Sequence, residues 1–237
     1  MKRSRYFLWM STIFFAVVMI GFARSFYLRT HFDFPELRVH LYVHGVALTA
    51  WFALALIQPW LIESGRITLH RRLGIVGVSL AIGVVITGLW TLALRDAPVI
   101  DDFPTKAAGN LASLLMFSAC VTLGVLFRRK PITHKRLMLL ASIPILAPAL
   151  DRLARFPSFN ELLGQFLGWF PAPPEVAFAS LSFLFLLSSV VINDLVSTRR
   201  VQSGTVWGLF SILIIAPVAT YGFMVSGVWV TFVHWVG

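Results

Sequence analysis

Of the six histidines in this 237-residue chain, four occupy positions where an imidazole could ligate a metal or pass a proton. His70 and His134 lie in matching octets, RITLHRRL (66–73) and KPITHKRL (130–137), each followed by a long apolar run. His40 and His44 are four residues apart, a spacing that puts two imidazoles on one face of a helix. Imidazoles from neighbouring helices at matched depth can hold haem iron or a divalent metal. His44, His40, His70 and His134 are therefore the candidate cofactor ligands. Without haem, His40 and His44 could share one metal ion with a third ligand, for which Asp151 and His234 are the candidates. The chain carries no HExxH, no CxxCH and no set of four histidines matched on four helices.

At about 100° per residue, His40, His44, Trp51 and Gln58 fall in one helical sector of about 40°. Such a polar stripe is expected to face the interior of a bundle. Gln58 lies about 21 Å along the helix axis from His44, so the stripe reaches both ends of its helix. Other polar residues sort into the same two layers: Asn110, Asp151, Arg152, Tyr221 and His234 with His40 and His44, and His70, His134, Asn193 and Asp194 with Gln58. Arg71, Arg136 and Arg152 are further polar positions within the bundle, and Arg152 stands five turns beyond His134 on the same face.

The elements that position these residues follow from composition. With 58% apolar and 13% charged residues, and a mean hydropathy of +0.82, the chain lies outside the range of soluble domains. Apolar runs long enough to cross a hydrocarbon core occur near 7–28, 39–61, 73–94, 109–127, 136–154, 176–196 and 206–230. Lipid cannot satisfy backbone groups, and no segment shows the alternation of barrel strands. The expectation is a single all-α integral membrane domain spanning 1–237, a bundle of seven transmembrane helices. The stretch 1–24 resembles a signal peptide but is long and lacks a convincing cleavage site, so it reads as the first span.

Thirteen basic residues fall on one side of this arrangement, among them Arg66, Arg71, Arg72, Arg128, Arg129, Lys130, Lys135, Arg136, Arg199 and Arg200; seven fall on the other. The positive-inside rule places the first set in the cytoplasm, with the N-terminus inside and the C-terminus outside. Eight of the ten acidic residues lie on the outer side. A net charge of +10 spread over short loops points to anionic lipid headgroups on the cytoplasmic side rather than to nucleic acid. The single Cys120, inside the fourth span, excludes an intrachain disulfide and reads as a packing residue.

The two His-Arg octets are 64 residues apart at equivalent turns, which makes 38–95 and 108–155 a weak parallel hairpin repeat. Pro144 and Pro148 are expected to bend the fifth span. Asp194 is expected to be neutralised by nearby Arg199 and Arg200, and Asp151 to pair with adjacent Arg152. In the loop 156–174, Asn160 reads as the N-cap of a short amphipathic interfacial helix carrying Trp169.

His44-Gly45, Trp51, Gln58, the turn Arg66-x3-His70-Arg71-x-Leu73-Gly74, and His134-x2-Leu137-Met138 followed by Arg152 resemble an uncharacterised family of bacterial multi-pass membrane proteins, a domain of unknown function. The resemblance covers roughly 38–155 and implies residence in the bacterial cytoplasmic membrane; it assigns no reaction. Such relatives carry Trp where this chain has Leu137. There is no P-loop, no GxSxG and no seventh-span lysine for a retinal Schiff base. Three functions stay open. The first is a bundle that binds haem b or a metal ion in a redox or accessory role. The second is a transporter or lipid-binding protein without a cofactor, and the third an intramembrane metal-dependent hydrolase.

Overall fold

A computed structural model describes residues 5–94 and 103–227, and the described residues form ten α-helices and no strand. They are α1 (Tyr6–Gly21), α2 (Val39–Glu63), α3 (Ile67–Ala93), α4 (Phe103–Leu126), α5 (Pro131–Ser142), α6 (Ala147–Ala154), α7 (Pro157–Leu167), α8 (Pro174–Thr198), α9 (Ser203–Phe210) and α10 (Ala216–Val225). Six helical segments are long and apolar enough to cross a membrane: α2, α3, α4, the α5–α6 unit, α8, and the α9–α10 unit. The chain reads as an integral membrane protein on that ground. α1 is apolar but shorter. Its α-helical geometry ends at Gly21, and one π-helical turn, Ala23–Tyr27, continues it.

The hydropathy of the six spans is similar, but their burial is not. The window of Pro131–Ala154 is 67% buried, against 17–33% for the others. This span is the axis of the bundle: α5 packs on α1, α2, α4 and α9, and α6 on α1 and α8. It is also discontinuous. Pro144 and Pro148 each remove a backbone donor, and between them the chain takes a 3₁₀ turn, Pro144–Leu146, before α6 resumes. The expected bend is thus a break, at the buried centre of the fold, with Ile143 and Leu146 packed on either side. A second irregularity, the π-helical turn Ser211–Ile215, separates α9 from α10.

The α2–α3 hairpin closes through Ser64–Arg66. Gly65 takes φ +73°, a left-handed conformation open to glycine at little cost, and Arg66 N–H returns to the Leu61 carbonyl at 2.8 Å. So short a connection fixes the antiparallel register: residue n of α2 lies opposite residue 131 − n of α3, as with Leu54 beside Gly77 and His44 beside Thr87.

At the start of α9, a Cβ on Gly204 would sit 2.6 Å from the Thr133 carbonyl oxygen and 2.8 Å from its Cα, so only glycine allows α9 to meet α5. Backbone cannot yield as a flexible side chain can. Gly204→Ala is expected to cost about 1–3 kcal/mol, measured as a lowered unfolding midpoint of the detergent-solubilised protein, whereas Gly74→Ala, where nothing lies within 4 Å of the added Cβ, should cost little.

The segment after α6 differs from expectation. Phe156, not Asn160, occupies the N-cap position of α7, and Pro157 takes the first helical position. Asn160 lies inside the helix and donates from its amide to the Ala154 carbonyl at 3.2 Å, satisfying the end of α6. Trp169 is exposed, as an interfacial residue would be.

Candidate functional site

The polar stripe on α2 faces neighbouring helices, and each member finds a partner type that its position on the helix alone did not name. Trp51 is buried and donates from Nε1 to Ser142 Oγ on α5 at 3.2 Å, with its ring edge-on to Phe117 of α4. His44 bonds through Nδ1 to Thr87 Oγ1 at 3.0 Å. Because the Thr87 hydroxyl donates to the Gly83 carbonyl at 2.7 Å, its oxygen accepts from His44, which places the His44 proton on Nδ1 and leaves Nε2 with a lone pair. His40 is 6% exposed and lies against Trp90, ring centroids 6.0 Å apart.

At the opposite end of the bundle, the two His-Arg octets meet. The His70 and His134 ring centroids are 6.4 Å apart with planes at 81°. Each imidazole is held at Nδ1 by the helix that precedes its own. His134 Nδ1 donates to the Gly124 carbonyl of α4 at 2.8 Å, so in the neutral ring the lone pair is on Nε2. His70 is held by Gln58 of α2. The Gln58 amide is assigned from its backbone neighbours: with its nitrogen toward the His70 carbonyl at 3.3 Å and its oxygen toward Gly74 N–H at 3.2 Å both are satisfied, which the reverse orientation does not do. The same nitrogen meets His70 Nδ1, which must then accept, and a neutral His70 carries its proton on Nε2. The pair is thus one donor and one acceptor. A direct imidazole–imidazole hydrogen bond would hold the centroids within about 5.1 Å; at 6.4 Å the rings are too far apart for one.

The best-satisfied polar cluster lies at this same end. Arg136, in the second octet, is 2% exposed and turns inward to Asp194 of α8, which is fully buried. Its Nε reaches Asp194 Oδ1 at 2.6 Å and Nη2 the same oxygen at 2.5 Å; Nη1 donates to the Ile132 carbonyl at 2.8 Å. Asp194 Oδ2 accepts from Thr205 Oγ1 at 2.6 Å and from Gln202 N–H at 2.9 Å. Asp194 therefore caps α9 as well as pairing with α5. Its partner is Arg136 rather than the expected Arg199 and Arg200, both exposed after α8 ends with Arg199 at φ +56°. Around this inward arginine, Arg66, Arg71, Arg72, Arg128, Arg129, Lys130, Arg199 and Arg200 are all exposed.

Other residues singled out by the sequence are not gathered into one site. Asp151 is bound to Arg155, Nε and Nη2 each at 3.0 Å, rather than to adjacent Arg152. That bond is the main cause that holds the exposed Arg155 above the usual guanidinium range. Arg152 donates to the Pro148 carbonyl at 3.0 Å and lies 4.5 Å over the Phe22 ring. Arg71 points to the surface. His234 lies outside the described residues. Among the described residues, no three His, Cys, Asp or Glu side chains come together as metal ligands. Cys120 is buried, its sulfur 3.9 Å from the Gly208 carbonyl.

Thr87, Ser142, Gly124 and Asp194 complete these contacts and were not read as site residues. One signal was available for Thr87, because the short Ser64–Arg66 turn fixes its register opposite His44. No family model, curated protein or solved structure matches this chain.

Proposed function

We propose that this chain is a seven-span protein of the bacterial cytoplasmic membrane, N-terminus inside and C-terminus outside, that moves a small solute without a resident cofactor and passes a proton between His70 and His134. The observation that carries this reading is the complementary state of the two imidazoles. In their neutral forms His70 offers an Nε2–H and His134 an Nε2 lone pair, on rings whose centroids are 6.4 Å apart. The broken central span supports it, since discontinuous helices at mid-membrane are where transporters build solute sites. The exposed basic residues around the His70 end suit a cytoplasmic face against anionic lipid headgroups. Gln58, His70, Gly74 and His134, four of the residues singled out in the sequence motifs, are the ones at this contact.

A second reading, haem or a metal ion between the same two histidines, is favoured by one distance. His70 and His134, with ring centroids 6.4 Å apart, would be the residues to hold such a group through their ring nitrogens. Holding it with both would need an Nε2 lone pair on each ring. His134 has it; His70 has the opposite proton position as long as Gln58 keeps its amide orientation. These residues fit one ligand, not two, and the cofactor-free reading stands first.

Both readings face the same experiment. The purified protein and its His70→Ala and His134→Ala variants are examined by oxidised and dithionite-reduced absorption spectra and metal analysis. They are then reconstituted for solid-supported-membrane electrophysiology with a panel of small carboxylates, amines, amino acids and sugars. The expected result is a colourless, metal-free protein with a solute-evoked current that falls at least about tenfold in each variant, in line with loss of a positioned proton carrier. A Soret band or stoichiometric metal lost in the variants would replace the first reading by the second. A colourless protein without current would reject both.

A further inference from the structure

At the end of the bundle opposite His70, several buried polar groups lack partners. His40 is 94% buried by its 6% exposure, yet makes no hydrogen bond among the described residues. One turn beyond the His44–Thr87 pair, the antiparallel register sets His40 opposite Thr91, whose Oγ1 is buried and unpartnered. Thr91 differs in this from its neighbour. The Thr87 hydroxyl donates to the carbonyl four residues back, as do Thr12, Thr49, Ser118 and Ser211 elsewhere. The other buried, unpartnered side-chain atoms among the described residues, Arg24 Nε and Ser25 Oγ, follow α1 and lie at this same end. Among the described residues the His70 end has none. Folded chains leave few buried polar groups unpaired, so these three atoms, with His40 as a fourth polar group lacking a hydrogen bond, mark an end where something else completes them.

The surroundings specify what that is. Trp90 packs on His40 and is itself 40% exposed, and Val39 and Val43 of the same apolar span as His40 are exposed. An occupant reaches the site from the bilayer and has an apolar body. His40 and Thr91 each carry a donor, so one carbonyl oxygen could accept from both. We infer that His40 and Thr91 form a binding site, at the start of α2 and the end of α3, for the carbonyl head of an amphipathic molecule dissolved in the bilayer. A quinone ring and the acyl ester of a phospholipid supply that chemistry equally. The site shares no residue with the His70–His134 contact and is tested independently of it.

The full-length protein is placed in nanodiscs of ester-linked or ether-linked phosphatidylcholine. Decylubiquinone is titrated while tryptophan fluorescence is followed, with Trp90→Phe identifying the signal from Trp90. The expected result is saturable quenching that Trp90→Phe removes. Thr91→Val, nearly isosteric, and His40→Leu should each raise the half-maximal concentration about five- to tenfold, the loss of one hydrogen bond. If the lipid ester is the occupant, quinone gives no saturable quenching. Ester-linked discs then raise the unfolding temperature over ether-linked ones, and Thr91→Val abolishes the difference. Quenching indifferent to both substitutions, or no response in either arm, would overturn the proposal and leave water as the partner of these groups. Should His40→Leu fail to fold, Thr91→Val decides alone.

Discussion

Asp194→Ala should destabilise the protein by about 3–5 kcal/mol, the largest loss expected of any single substitution. The change leaves the Arg136 guanidinium buried at 2% exposure without its counter-ion, and it also strips Gln202 N–H and Thr205 Oγ1 of their acceptor. Three elements then lose one tie, because Asp194 on α8 joins α5 to the start of α9. The reciprocal substitution, Arg136→Met, should cost a comparable amount by leaving the carboxylate unpaired. The double variant Arg136→Met with Asp194→Leu should recover the part of the loss that comes from an unpaired buried charge, but not the part that comes from Gln202 N–H and Thr205 Oγ1, which stay without their acceptor. Unfolding midpoints in a denaturing-detergent titration measure all three. Equal losses in the double variant and in the singles would mean that the pair contributes through more than mutual neutralisation.

Gln58→Leu should reduce solute-evoked current at least about tenfold while changing stability by only about 1 kcal/mol. The amide contributes one ordinary set of hydrogen bonds to the fold, but it alone sets the proton position on His70. Without it His70 samples both tautomers, and the donor–acceptor match with His134 holds only part of the time. Nitrogen-15 spectra of histidine-labelled protein provide the direct readout. Wild type should show His70 protonated at Nε2 and His134 at Nδ1, with only the His70 signal becoming mixed in the variant. If His70 is protonated at Nδ1 in wild type, the relay lacks its donor, and haem or metal ligation becomes the better account of the 6.4 Å spacing.

The fold was legible in the sequence to the extent that membrane physics acts locally. A hydrocarbon solvent demands long apolar helices, and hydropathy alone marks seven apolar runs, of which the six after the first hold helices long enough to cross. The α2 stripe was legible for the same reason: His40, His44, Trp51 and Gln58 share a face by helical periodicity whatever surrounds them, and Trp51 and His40 are indeed buried. A proline pair marked the irregularity of the central span. Its centrality was not marked, because lipid-facing and core-facing residues are equally apolar, and composition cannot rank spans by burial.

Partners were decided by tertiary structure. Asp194 has Arg199 and Arg200 close by in sequence, yet pairs with Arg136, 58 residues away, because α8 ends in a left-handed turn that leaves both local arginines outside while α5 and α9 close over the carboxylate. Asn160 reads as a cap for its own helix and instead satisfies the one before it. The sequence by itself determined that this is a helical membrane protein with polar residues banded at two depths. Only the packing of α2, α3, α4 and α5 decided that His70 and His134 meet, and that Gln58 and the Gly124 carbonyl assign them opposite proton states. A hydrogen bond's direction depends on the group that arrives from another helix, and helical periodicity carries no information about that group.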